Sequence, residues 1–158
     1  MTKMKKKSGS KDYTEAFLKS NKDYHYNLEE GAEPYLVSSG SMILDHVLGG
    51  GFGSGLHRFI GANEGGKTNE ALHVMHNMLK TVENSKGLFV MAEGRLSQEI
   101  KDRAGIKFVH SAEDWDVGTC LVLECHIMDT MIDFLRGLLK NNPDKEKFCI
   151  VIDSMDGL

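Results

Sequence analysis

The segment from Leu56 to Leu79 constrains the chain more than any other. A short apolar run, Leu56-His57-Arg58-Phe59-Ile60, leads into the turn Gly61-Ala62-Asn63-Glu64-Gly65-Gly66-Lys67-Thr68. Beyond it Ala71, Leu72, Met75, Met78 and Leu79 recur at three- and four-residue steps, the spacing of one buried helix face. Strand, G-x-x-x-x-G-K-[ST], helix is the order of a phosphate-binding P-loop. A triphosphate needs several main-chain N–H groups aimed at one point, so the turn must wrap tightly. Gly61, Gly65 and Gly66 permit dihedrals and close approaches that a Cβ blocks. The following helix directs its unpaired N–H groups and positive dipole end at the anion. These rules assign Gly61, Ala62, Asn63, Glu64, Gly65, Gly66, Lys67, Thr68 and Asn69 to nucleotide binding. Lys67 is expected to reach the β- and γ-phosphates and the Thr68 hydroxyl to ligate Mg²⁺, so the expected cofactors are ATP and Mg²⁺.

The remaining segments predict an alternation of strands and helices. Residues 1–34 form a basic arm, with Lys3, Lys5, Lys6, Lys7 and Lys11 among small polar residues, then a short helix. In that helix Asp12 and Glu15 have capping-box spacing, and Tyr13, Phe17 and Leu18 share a face. Residues 21–34 read as a polar connector. The core is expected over 35–158. Tyr35-Leu36-Val37 is extended after Pro34. Ser41 caps a brief helix with Leu44, Val47 and Leu48 on one side, and the glycine run from Gly49 to Gly55 stops it. After the P-loop helix, Val82 to Lys86 reads as a loop and Gly87 to Ala92 as a strand covered on both faces. A helix over Arg95–Ala104 stops at Gly105. A short edge strand follows over Ile106–Val109, then a loop carrying Trp115 and a strand over Cys120–Glu124. Met128, Met131, Ile132, Leu135, Leu138 and Leu139 line one face of a helix over Ile127–Lys140. Asn141-Asn142-Pro143 ends it, and Phe148–Ile152 is a buried strand closing in Asp153-Ser154. Such alternation implies a mostly parallel α/β sheet flanked by helices, with ligands at the carboxyl ends of its strands.

Composition narrows the function classes. An apolar share of 41% over 158 residues suits one buried core. A net charge of −4 gives no bulk signal for nucleic acid. Cys120, Cys125 and Cys149 lack disulfide-framework spacing, which favours a reducing compartment. No apolar run approaches the ~18 residues of a membrane helix, and the start lacks a signal-peptide core. The chain is expected in the cytoplasm, without a membrane partner.

Two carboxylates stand at predicted strand ends. Asp153 is placed as a Walker B residue is, fixed by the apolar strand before it and near Mg²⁺; the plainer reading is a cap on the next turn. Glu93 either orients and deprotonates an attacking water or is an exposed strand-terminal acid. Cys120, Cys125, His126 and Cys149 form no C-x-x-C pair, and two of them fall inside apolar strands, so buried thiols are expected rather than zinc. His73 and His76, three apart on the P-loop helix, read as ordinary helix residues.

The segment from Val37 to Thr68 resembles the RecA recombinase family. Ser39-Gly40-Ser41, Leu44-Asp45, Leu48-Gly49-Gly50-Gly51, Gly55 and the P-loop carry the likeness. Leu88 to Gly105 looks like the family's second core strand and places its water-activating glutamate on Glu93. Ile150-Val151-Ile152-Asp153-Ser154 followed by Leu158 looks like its Walker B segment. The likeness covers most of 37–158 and is strongest to bacterial and bacteriophage strand-exchange proteins, including the UvsX type. It implies a partial RecA-type P-loop NTPase core, truncated after the Walker B strand. By resemblance the whole protein is a Mg-dependent ATPase in homologous recombination and DNA repair. It would form filaments on single-stranded DNA, or a ring, in a bacterial cell or phage-infected host. Catalysis falls to Glu93 and Lys67, and the metal to Thr68 and Asp153. Asn63 stands where relatives often have an acid, and Asn69 where many have a second hydroxyl. Other readings are a hexameric helicase or KaiC-like ATPase, a P-loop small-molecule phosphotransferase, and a nucleotide-gated filament protein that scarcely hydrolyses ATP. On the resemblance, a later strand belongs beside the Walker B strand. The isolated chain is therefore expected to be inactive and to fold poorly.

Overall fold

The computed structural model describes residues 13, 16–17, 19–20, 35–92 and 96–154. The chain divides into two units, Met1–Glu33 and Pro34–Leu158. In the first, the described residues are helical, and Tyr13 and Phe17 stack with centroids 6.4 Å apart. The expected capping pair Asp12 and Glu15, Leu18 and the connector over 21–34 lie outside the described residues.

The second unit is an α/β layer structure. Its sheet contains β1 (Ser85–Met91), β2 (Lys107–Val109), β3 (Thr119–Glu124) and β4 (Lys147–Asp153), in the order β2-β3-β1-β4 and all parallel. Four helices accompany it: α1 (Met42–Val47), α2 (Lys67–Thr81), α3 (Gln98–Ala104) and α4 (Met128–Lys140). β1 is central and has side chains on both faces. Phe89 packs with Leu72 and Met75 of α2, with Ile100 and Ala104 of α3 against the same cluster. Leu88 and Val90 pack on the other face with Met131 of α4. Met75, Leu88 and Val90 are fully buried, and each such side chain contributes roughly 1.5–3 kcal/mol by leaving water.

Local chemistry sets the boundaries. Ser41 accepts from Leu44 N–H and Ser97 from Ile100 N–H, so each begins a helix as an N-cap. Gly105 ends α3 with φ of +64°, a left-handed stop. Asn141 ends α4, its side-chain amide donating to Gly137 O at 2.9 Å. The Trp115 loop is tied to the sheet: its indole N–H donates to Gly87 O at 2.8 Å and its ring tilts against Phe148.

Three expectations are corrected. Residues 56–60 are not a strand: Leu56 is 99% and Ile60 81% exposed, and neither pairs with the sheet. Phe59 and His57 instead pack on Phe52, and Phe52 pairs with Val37 across an antiparallel bridge. The glycine-rich turn over 61–68 is thus fed from an aromatic-centred lobe. The face expected from Leu44, Val47 and Leu48 does not form, since Val47 is 74% exposed and α1 buries no residue. Polar bonds hold that short helix. The loop expected over Val82–Lys86 gives way to β1 at Ser85, whose hydroxyl donates to Met78 O at 3.3 Å and so tolerates full burial.

Candidate nucleotide site

The glycine-rich turn sits where the sequence places it, at the start of a fifteen-residue helix. Gly66 is the N-cap with φ of +83° and offers no side chain, so the first N–H groups of α2 carry no side-chain cap. Gly65 N–H donates to Ala62 O at 3.1 Å, and a Cβ on Gly65 would stand 2.9 Å from that oxygen. Close approach therefore requires glycine at 65 and the positive φ favours it at 66. At Gly61 neither reason applies: its φ is not positive and a Cβ would meet nothing. Glu64 carries a positive φ of 59° despite its side chain. Ala62, Asn63 and Asn69 lie exposed around the turn.

Lys67 folds back over its own loop. Its ammonium donates to Gly61 O at 3.0 Å and Ala62 O at 2.8 Å. Thr68, one residue on, points the other way: its hydroxyl donates to Asp153 Oδ2 at 2.8 Å, across 85 residues of sequence. Asp153 ends β4, and the Asp153–Ser154 peptide is cis. Two of the three residues expected to converge are therefore in contact, at the carboxyl end of the sheet. The third, Glu93, lies outside the described residues.

This donor set suits one kind of ion. Among the described residues no three His, Cys, Asp or Glu side chains gather as a metal cage. A hydroxyl and one carboxylate are a poor zinc site. They fit Mg²⁺, which takes one or two protein oxygens and completes its shell with water and phosphate. The uncapped helix start and the lysine fit the phosphates themselves.

The cysteine and histidine candidates separate. Gly87 is in register with Cys120 on one side and Cys149 on the other, so both thiols lie on one sheet face. Burial pushes the Cys120 thiol up to about 12 and the Cys149 thiol up to about 11. Cys125 N–H instead bonds Met91 O, four residues further along β1, roughly 13 Å away at strand rise. His73 packs over Gly40 and His76 meets Gly105 O at 3.1 Å, so both fasten α2 to neighbouring turns.

Sequence reasoning missed two groups. Asp45 collects Ser39 N–H at 2.7 Å, Ser39 Oγ at 2.6 Å and Ser38 Oγ at 2.5 Å. Those bonds, the Ser38 hydroxyl foremost, hold its carboxyl below the usual range. Asn77 of α2 donates to Ser38 O at 2.8 Å, joining this knot to the P-loop helix. The Ser-Gly-Ser and Leu-Asp signature is thus a turn closed on itself, a pattern visible as serines six and seven residues before an acid. His126 is the second group. Its Nδ1 meets Ala92 O at 2.8 Å and its Nε2 meets Glu124 Oε1 at 3.1 Å. Its position just past a strand, at the carboxyl end of the sheet, was the signal for it.

Comparison of the chain with protein-family models, with curated proteins and with solved structures finds no match.

Proposed function

We propose that this chain is the ATP-binding part of a Mg-dependent ATPase of the RecA recombinase kind, one that acts on single-stranded DNA. The observation that carries the reading is the 2.8 Å contact between Thr68 and Asp153. A P-loop hydroxyl and a strand-terminal carboxylate, remote in sequence, meet where Mg²⁺ has to sit in such a site. The partial RecA-type core and the DNA partner rest on the resemblance of 37–68, 88–105 and 150–158.

Each residue has a separate task. The α2 N–H groups and Lys67 bind the terminal phosphates, and Lys67 trades its two loop carbonyls for phosphate oxygens. Thr68 and Asp153 would hold Mg²⁺, which would neutralise charge that builds on the phosphates. Glu93 orients the attacking water and takes its proton. In the full-length protein, filament formation on DNA would couple to this cycle.

The test measures ATP binding and turnover in the full-length protein, with and without single-stranded DNA. Binding that needs magnesium, turnover stimulated by DNA, and loss of both in Lys67→Ala are expected. Absence of any affinity for ATP with magnesium, or an unaffected Lys67→Ala protein, would end the nucleotide reading. Turnover indifferent to DNA would end the recombinase reading and favour a phosphotransferase.

A further inference from the structure

We propose that His126 is a positioning residue of the nucleotide site, bridging Ala92 and Glu124 so that the carboxyl end of the sheet holds Asp153 opposite Thr68. The inference rests on the nucleotide reading of Thr68 and Asp153.

The bonding at this sheet end runs in one line. The β1–β3 register ends at Met91 and Glu124, and Cys125 N–H adds a last main-chain bond to Met91 O at 3.0 Å. The next carbonyl, Ala92 O, meets the imidazole of His126 at 2.8 Å. On its other side Ala92 N–H donates to Asp153 O at 2.9 Å. Ala92 is 2% exposed with the ring in place, and the His126 side chain that meets its carbonyl is itself 59% exposed. Asp153 in turn receives the Thr68 hydroxyl. A chain of bonds therefore runs from Thr68 through Asp153 and Ala92 to His126 and Glu124, crossing β4, β1 and β3. Slackening at His126 is felt first at the Ala92 peptide, which fixes the end of β4.

Both ring nitrogens face acceptors, so both bonds need the imidazolium. A neutral ring has one N–H and must release either Ala92 or Glu124. The facing charge from β3 is Glu124; β1 and β4 present the Ala92 peptide and, beyond it, Asp153; Asp129 stands in the first turn of α4. The ring's affinity for its proton is raised above the ordinary 6.5, by the Ala92 carbonyl first and then Glu124. With a raised folded value, the grip is complete below pH 6.5 and weakens as pH rises through that value.

Two measurements test this with His126→Ala and His126→Asn, the latter returning a donor near the Nδ1 position without a titratable charge. The first is amide hydrogen exchange at Ala92 and Cys125 in the full-length protein without nucleotide. Faster exchange in His126→Ala, with protection recovered in His126→Asn, is expected; equal exchange in wild type and His126→Ala overturns the grip. The second is ATP turnover in the full-length protein against magnesium and pH. His126→Ala is expected to need about tenfold more magnesium for half-maximal turnover, with His126→Asn close to wild type. The wild type should demand more magnesium as pH rises above 6.5, and His126→Asn should not. Altered exchange with an unchanged magnesium requirement overturns positioning while leaving the bond standing. A wild type that binds no ATP overturns positioning together with the nucleotide reading, and the exchange result still stands apart from it.

Discussion

At the residue scale, several polar side chains of this unit serve to brace the fold. Asp45 braces: three donors converge on its carboxylate, and through Ser38 the bracing reaches Asn77 on α2. Because the folded carboxyl is held below its ordinary 3.8, its contribution is present above that pH and is lost as pH falls through the folded value. Urea unfolding of the folded protein followed from about pH 5 to pH 2 should therefore show an acid-side loss of stability that Asp45→Asn lacks. The thiols give a second residue-level expectation. Cys120 and Cys149 are held protonated by burial, to about 12 and about 11, so neither supplies thiolate near neutrality. Iodoacetamide at pH 8 should modify Cys125 and spare the other two until the protein unfolds, as peptide mass mapping would reveal. The places of Lys67 and Asp153 were legible, the one from a glycine-rich motif and the other from an apolar strand closing in an acid. Asp45 and His126 were not, since their roles come from carbonyls and hydroxyls that only folding brings to them.

At the element scale, α2 against β1 is the joint that positions the glycine-rich turn over 61–68. Leu72, Met75 and Phe89 fill it, and Gly87 makes room for Met75. A Cβ on Gly87 would stand 2.9 Å from Met75 Sδ and 3.0 Å from Cys120 Cβ. Gly87→Ala should cost about 1–3 kcal/mol by overpacking. Met75→Ala should cost about 2–5 kcal/mol by leaving a cavity. Since the alanine methyl would enter that cavity, the double variant should be more stable than the sum of the two; thermal or urea unfolding of all four proteins measures the difference. Most helices and strands of residues 67–153 were readable from apolar spacing, because they bury a face of regular period; α3 buries no residue, and β1 begins earlier than that spacing indicates, at Ser85. The segment over 56–60 was misread because a short apolar run ahead of a glycine-rich turn reads as a strand, but among the described residues no partner strand flanks it, and Phe52 collects His57 and Phe59.

At the scale of the whole unit, the sheet is asymmetric. The edge at β2 is three residues long, whereas β4 presents seven residues at the other edge with β1 as its single partner strand among the described residues. Phe148, Cys149, Ile150, Val151 and Ile152 run along it without a proline or an interrupting charge. A long apolar edge of that kind is a template for further strand pairing. The 158-residue chain should therefore self-associate with concentration, as sedimentation velocity would show. A sharp, reversible melt from a monomer at every concentration would contradict this. Among the described residues no helix is long and apolar enough to cross a membrane.

By itself the sequence determined the parallel α/β alternation, the glycine-rich turn at the start of a long helix, the Ser41 cap and the Gly105 stop, because these depend on residues near one another along the chain. Only the tertiary structure decided the strand order, the approach to the turn through an aromatic lobe, and the bonds from Thr68 to Asp153 and from His126 to Ala92. Those depend on which strands lie side by side, and hydrophobic period says that a face is buried without saying against what.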